Sequence, residues 1–252
     1  MKKRWIAAGL LLCLLWLLPA CSSKDPIEVA QKALRRTAAL DSCGMLLDVQ
    51  LAAADDTAMA ELSFAAELAV SRDGKGGDSM SAASTVTKNG KKSTAAVYQT
   101  GDWFYITANG TSYKSNLPTF TRSHDYLAAV DAVLQEYPQT VWENARFDGD
   151  ALTLSPDVET LKALYQPIAD DMWQALPGFS DFAADDAYTL TDGTLVLTFG
   201  GKYVTACTLT LELKSGDVAL VGVVMLRIPT PGSDVTVTPP VGYQYYPEYN
   251  FS

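Results

Sequence analysis

The residue with the best-defined chemistry in this sequence is Cys21, which ends an uncharged apolar run. Met1-Lys2-Lys3-Arg4 is positively charged, residues 5–18 carry no charge, and Leu18-Pro19-Ala20 leads directly into Cys21. The apolar stretch is shorter than the roughly 20 residues that cross a bilayer, and it is typical of a cleaved secretion signal. A cysteine at the cleavage point resembles a lipobox, in which the new N-terminal cysteine receives lipid. The alternative is an ordinary signal without lipid.

This motif predicts where the protein is located and how the chain is divided into segments. Residues 1–20 are the expected lipoprotein signal peptide, residues 21–25 a polar tether, residues 26–238 a single domain, and residues 239–252 a tail rich in Pro and Tyr. We expect the mature chain on the extracytoplasmic face of the cell membrane, held there by a lipid on Cys21. The membrane is therefore its first expected partner, and the sequence does not identify a protein partner.

The sequence offers no convincing catalytic set. Its one histidine, His124, is followed by Asp125, but neighbouring residues of a helix do not face each other. Serine-hydrolase and phosphate-loop motifs are missing. We therefore predict no catalytic residues and no cofactor, and we expect a chain that binds rather than reacts.

Two cysteines, Cys43 and Cys207, remain beyond the signal and Cys21. They form no C-x-x-C pair or Cys/His cluster, so we predict no metal site. Both fall on the apolar face of a predicted strand, and an extracytoplasmic site permits disulfides. A possible Cys43–Cys207 disulfide is one interpretation, and two buried thiols are the other.

The charge of the mature chain excludes some partners. Loss of Lys2, Lys3 and Arg4 leaves 16 basic residues against 29 acidic ones, a net charge of −13. Such a surface repels nucleic acid and anionic headgroups, so we predict no nucleic-acid partner.

Hydrophobic periodicity predicts helices and strands in a segregated order. Helical spacing is expected from Asp25-Pro26 to Leu40, near 123–136, and from Ser155-Pro156-Asp157 to Pro177, with a kink at Pro167. Period-two alternation predicts two groups of antiparallel strands. They lie near 43–51, 62–70, 79–88, 91–99, 103–106, 111–115, 195–199, 203–213 and 218–227, with a possible last strand at 234–238. The order indicates an α+β fold.

The pattern resembles the LolA/LolB and LppX/LprG-type superfamily of bacterial lipoproteins. The likeness rests on the lipobox, the helix from Asp25, the strand from Cys43, the segment Trp103–Lys114 and the late strands over 195–227. It implies a curved antiparallel sheet, an incomplete barrel, wrapped over helices with an apolar cavity between them. It also implies binding or carriage of an apolar ligand, with lipid as the expected class.

Large apolar side chains are the candidates for lining such a cavity. They are Trp103, Tyr105, Trp142, Met172 and Trp173. The alternative is a non-catalytic structural or protein-interaction lipoprotein that has no ligand and fills its interior with its own side chains.

Overall fold

The architecture comes from a computed structural model of the 252-residue chain. It describes residues 26–53, 62–71, 79–88, 90–116, 126–136, 141–142, 144–175 and 189–249. Within these ranges, the side chains of 53, 62, 126–129, 167–175, 215 and 218 lie outside the description. Cys21 and His124, with the roles considered for them above, also lie outside the described residues.

The described strands form one open antiparallel sheet of 11 strands. Their order is β6-β5-β4-β3-β2-β1-β11-β10-β9-β8-β7, so the first and last strands in sequence lie side by side at the middle. The strands are β1 Ser42–Ala53, β2 Leu62–Ser71, β3 Ser79–Lys88, β4 Lys91–Thr100, β5 Trp103–Ala108, β6 Thr111–Ser115, β7 Arg146–Asp148, β8 Ala151–Leu154, β9 Thr189–Gly200, β10 Tyr203–Ser215 and β11 Val218–Arg227. The α+β class predicted from the alternation is confirmed by this sheet and its separate helices.

Three α-helices are present in the described part of the chain: α1 Pro26–Ala38, α2 Tyr126–Glu136 and α3 Val158–Ala175. The predicted kink does not split α3, which is continuous through Pro167 although proline cannot donate a backbone hydrogen bond there. The possible strand at 234–238 does not form, because this segment is extended without strand pairing.

The helices cover one face of the sheet, which we call the inner face. α1 packs on β10 and α2, α2 packs on α3, and α3 packs on β9. The inner face carries the apolar half of each alternating strand, for example Met45 and Leu47 of β1 and Leu209 and Leu211 of β10, all of them buried. Burial of these side chains from water is the main stabilising term of the domain.

The last described segment, residues 229–249, lies across the opposite or outer face, and we call it the strap. It leaves the end of β11 and meets β1, where the backbone N–H of Val235 donates to Ser42 Oγ at 2.8 Å. It ends on the edge strand β6: Lys114 N–H donates to the Pro247 carbonyl, and Tyr249 N–H donates to the Lys114 carbonyl, both at 2.8 Å. The strap thus pairs with a sheet edge that would otherwise expose backbone groups.

The strap follows one row of residues that runs perpendicular to the strands. Strand register aligns six outer-face positions in this row: Gly44, Ala69, Ser81, Tyr98, Tyr105 and Lys114. The first three are small, and Val235 approaches to 3.7 Å from the position that a Cβ on Gly44 would take. A bed of small side chains therefore leaves room for the strap before it reaches the two tyrosines.

Candidate ligand site on the inner face

The described core contains a small cavity where two helices meet the middle of the sheet. Its volume is about 20 Å³. The lining side chains are apolar or weakly polar and come from α2, α3 and four strands: Leu47, Val130, Leu164, Leu195, Cys207, Leu209, Val224 and Leu226. No charged side chain lines it, so a charged or strongly polar ligand group placed there would lose its hydration without compensation.

The size of the cavity limits what it can hold as it stands. A volume of 20 Å³ accommodates about one water, but the lining offers too few polar partners to retain it. Pockets that bind small molecules usually measure about 300–1,000 Å³. A ligand could therefore enter here only if Val130 of α2 and Leu164 of α3 moved away from the sheet.

The cavity lies on a row of inner-face residues whose size changes along the sheet. Register places ten residues in this row: Leu152, Leu197, Cys207, Leu226, Leu47, Ala66, Ser84, Ala95, Ala108 and Thr111. From β8 to β1 the row is mostly leucine, whereas from β2 to β5 it holds only alanine and serine. We call the four residues Ala66, Ser84, Ala95 and Ala108 the trough.

The rows on either side of the trough carry larger side chains at most positions. One row consists of Phe64, Val86 and Ser93, and the other of Leu68, Ala82, Val97 and Ile106. The trough adjoins the cavity, because Leu47 belongs to the cavity lining and is paired with Ala66.

Cys207 belongs to the cavity lining, and Cys43 lies elsewhere in the core. Burial raises the pKa of the Cys207 thiol to about 12, so it is protonated and unreactive at neutral pH. The possible Cys43–Cys207 disulfide is not formed in the structure. The two residues do share the inner face, but β11 separates their strands.

The register explains why this bridge cannot form. Cys207 is aligned through Leu226 with Leu47, which lies four residues beyond Cys43 on β1. Two strand spacings amount to roughly 10 Å, and four strand residues to roughly 13 Å. A disulfide needs Cα atoms within roughly 7 Å.

Trp103 and Tyr105, predicted as cavity residues, lie on the outer face. Their neighbours Phe104 and Ile106 occupy the inner face and are each 4% exposed. Lys114 Nζ lies 5.0 Å from the centroid of the Trp103 ring, and Tyr105 packs edge-to-face against Tyr243 of the strap at 4.8 Å. Tyr105 therefore packs on the strap and Trp103 packs on β6, and neither lines the cavity.

Of the other predicted cavity residues, only Trp142 has a described side chain. Trp142 is buried in the core, and its indole N–H has no hydrogen-bond partner among the described residues. The side chains of Met172 and Trp173 lie outside the described part of α3. Sequence reasoning missed the trough, for which the available signal was the Ala/Ser-rich composition of β2 to β4.

The described residues hold no group of three or more His, Cys, Asp or Glu side chains that could bind a metal ion. Within the same ranges, no helix has the length and apolar character needed to span a membrane. The cavity on the inner face is lined by apolar side chains and the thiol of Cys207.

Comparison with known proteins finds similar folds only. No protein-family model and no curated protein matches the chain. The crystal structure of LprF from Mycobacterium bovis is 13% identical, covers 85% of this chain and 96% of its own, and has a TM-score of 0.44. A beta-barrel-like protein of a domain of unknown function (DUF1849) from Brucella abortus is 12% identical, covers 75% and 98%, and has a TM-score of 0.23. LprF is the neighbour that corresponds to the LppX/LprG-type resemblance noted in the sequence.

Proposed function

We propose that this chain is an extracytoplasmic lipoprotein, anchored through Cys21, that binds the hydrocarbon part of a lipid between its sheet and its helices. In this proposal the sheet is an incomplete barrel curved around α1–α3. The observation that supports the proposal is the trough: a row of alanine and serine side chains that adjoins the cavity at Leu47. Side chains this small would leave room for an unbranched acyl chain.

The binding energy would come from apolar burial. Each methylene group that leaves water contributes about 0.8 kcal/mol, and no specific polar partner is needed along the chain. Entry requires α2 and α3 to separate from the sheet, because Val130 and Leu164 close the cavity. Pro167 removes one helical hydrogen bond from α3, three residues beyond Leu164, which lowers the cost of moving this helix.

A second candidate function is a protein-interaction lipoprotein without a ligand. The small cavity favours it, since 20 Å³ is far below the volume of an acyl chain. The two candidates differ in whether the trough must stay open. A variant that fills the trough should weaken ligand binding under the first candidate and should have no effect under the second.

The test uses two alanines that are neighbours in sequence and lie on opposite faces of β4. Ala95→Leu fills the trough, whereas Ala96→Leu adds the same atoms to the outer face. We expect Ala95→Leu to weaken binding of a fluorescent fatty acid about tenfold, corresponding to about 1.4 kcal/mol, and Ala96→Leu to leave it unchanged. Thermal unfolding of both variants checks that the fold is intact, and Ala108→Leu repeats the test on β5.

The native protein provides a further readout. Solvent extraction of the purified chain and mass spectrometry should recover lipid in stoichiometric amount. Repeated absence of lipid, together with no fatty-acid binding, would overturn the carrier proposal and leave the interaction lipoprotein.

The anchor has a separate test. Substituting Cys21→Ala should abolish incorporation of radioactive palmitate into the chain, because the lipidated position is lost. Labelling that persists in this variant would contradict the anchor without bearing on the ligand.

A further inference from the structure

The strap presents two apolar side chains to solvent at its tip. Val241 is fully exposed and Tyr245 is 88% exposed. We call these two residues the knob. Among the exposed large hydrophobic side chains of the described residues, these two have the highest exposure.

The knob is held in place by neighbours that point the other way. Tyr243 packs edge-to-face on Tyr98 and Tyr105, with ring centroids 5.1 and 4.8 Å apart. The hydroxyl of Tyr246 lies 3.1 Å from Thr107 Oγ1. Because Tyr243 and Tyr246 are fixed on the sheet, the short 3₁₀ turn between them holds Tyr245 in an outward position, and the left-handed Gly242 sets the bend next to Val241.

The middle of the strap is also free of charge. Residues 235–247 contain no Asp, Glu, Lys or Arg, whereas charged residues make up 19% of the whole chain. This segment can therefore enter a less polar medium without dehydrating an ion. At most other surfaces of an acidic protein, dehydration of charged side chains would be the main free-energy cost.

The size of the knob distinguishes between possible occupants. A stable protein complex buries roughly 800 Å² on each partner, and one tyrosine supplies about 150–250 Å². Two side chains are too small for such an interface. A tyrosine is well suited to a lipid headgroup layer, where amphipathic aromatic side chains are enriched.

We propose that Val241 and Tyr245 contact the headgroup layer of the membrane to which the chain is anchored. This inference rests on the proposed anchor at Cys21. Four residues separate Cys21 from Pro26 at the start of α1, so the Cα atoms of these two residues lie at most roughly 18 Å apart. The anchor would therefore keep the domain next to the membrane, where the uncharged residues 235–247 can meet the headgroup layer without dehydrating an ion.

The experiment uses the full chain, purified from cells and reconstituted into phosphatidylcholine vesicles. A nitroxide spin label is attached at Val241→Cys, with Phe147→Cys as the matched control. Phe147 is an exposed apolar residue, 44% accessible, on β7 at the other end of the sheet. Cys43 and Cys207 are buried, so a labelled wild-type sample measures any background.

We expect vesicles to lower the collision rate of the label at 241 with a water-soluble nickel complex several-fold, and to raise its collision rate with oxygen. The label at 147 should show neither change. Equal access at 241 and 147 in vesicles would overturn the inference. Protection of 241 only in native envelope fractions would also overturn it and would assign the knob to a protein partner.

Failure of the anchor is distinguishable from failure of the contact. Mass spectrometry of the same sample shows whether Cys21 carries lipid. If it does not, the anchor proposal fails, while the label on vesicle-associated chain still reports whether residue 241 enters the headgroup layer.

Discussion

The hydroxyl of Thr37, in the last turn of α1, accepts a hydrogen bond of 2.8 Å from the backbone N–H of Val204 in β10. The same hydroxyl donates to the Ala33 carbonyl at 2.8 Å, and both Thr37 and Val204 are buried. One side chain thus joins the end of the first helix to the start of a central strand, and it fixes α1 on the inner face.

Removal of this hydroxyl should destabilise the domain. Thr37→Val keeps the shape of the side chain but leaves the Val204 N–H buried without its acceptor, at a cost of about 1–3 kcal/mol. Urea unfolding measures the loss. Thr37→Ser retains the hydroxyl and serves as the control, and an equal loss in both variants would assign the effect to packing.

The strap should contribute stability through Tyr243. Tyr243→Ala removes its ring contacts with Tyr98 and Tyr105, and we expect a loss of about 2 kcal/mol in the free energy of unfolding. Tyr245→Ala, two residues away and exposed to solvent, should change stability by less than about 0.5 kcal/mol. Similar melting temperatures for Tyr243→Ala and wild type would show that the strap does not stabilise the sheet.

Gly193 should not tolerate a side chain. A Cβ at this position of β9 would lie 2.4 Å from the Thr210 carbonyl oxygen and 3.2 Å from a methyl group of Leu161 in α3. Because backbone atoms cannot move aside cheaply, Gly193→Ala should cost about 1–3 kcal/mol. Gly44→Ala is the control, since its nearest neighbour would be Val235 at an ordinary 3.7 Å. Calorimetry of the two variants should separate them clearly.

Asp157 caps α3 and should make stability depend on pH. Its carboxylate accepts the backbone N–H of Thr160 at 2.8 Å, and this hydrogen bond lowers the pKa of Asp157 below its usual value. The stabilisation is therefore complete above the unfolded carboxyl pKa of roughly 3.9, and it is lost as pH falls through the lower folded pKa.

Two substitutions test the cap. Asp157→Ala should cost about 1 kcal/mol at pH 7. Asp157→Asn should keep most of that stability, since asparagine also caps helices, and it should remove this residue's acid dependence. Unfolding curves between pH 3 and 7 measure both effects. An unchanged acid dependence in Asp157→Asn would show that other carboxylates are responsible.

Local signals in the sequence anticipated most of the elements. Period-two runs such as Met45, Leu47 and Val49 indicated strands because one face of each strand is buried. Asp157 marked the start of α3 because a carboxylate can accept the free N–H groups of a first helical turn. These features depend on residues within a few positions of each other, so no knowledge of distant contacts was needed.

The sequence could not show which residues meet across the sheet. Alternation placed Cys43 and Cys207 on the same face, which is correct, but only strand order shows that β11 lies between them. Alternation likewise separated Trp103 and Tyr105 from Phe104 and Ile106, without showing which set faces the helices. Register and strand order depend on contacts between distant segments, and local periodicity carries no information about them.

The sequence by itself determined the α+β class, the bounds of most strands and the apolar half of each of them. Only the tertiary structure decided that small residues from β2 to β5 align into a trough, and that the tail returns across the outer face. The physical reason is that alternation within a strand depends on neighbouring residues, whereas the trough and the bed of the strap arise from register among strands far apart in the chain.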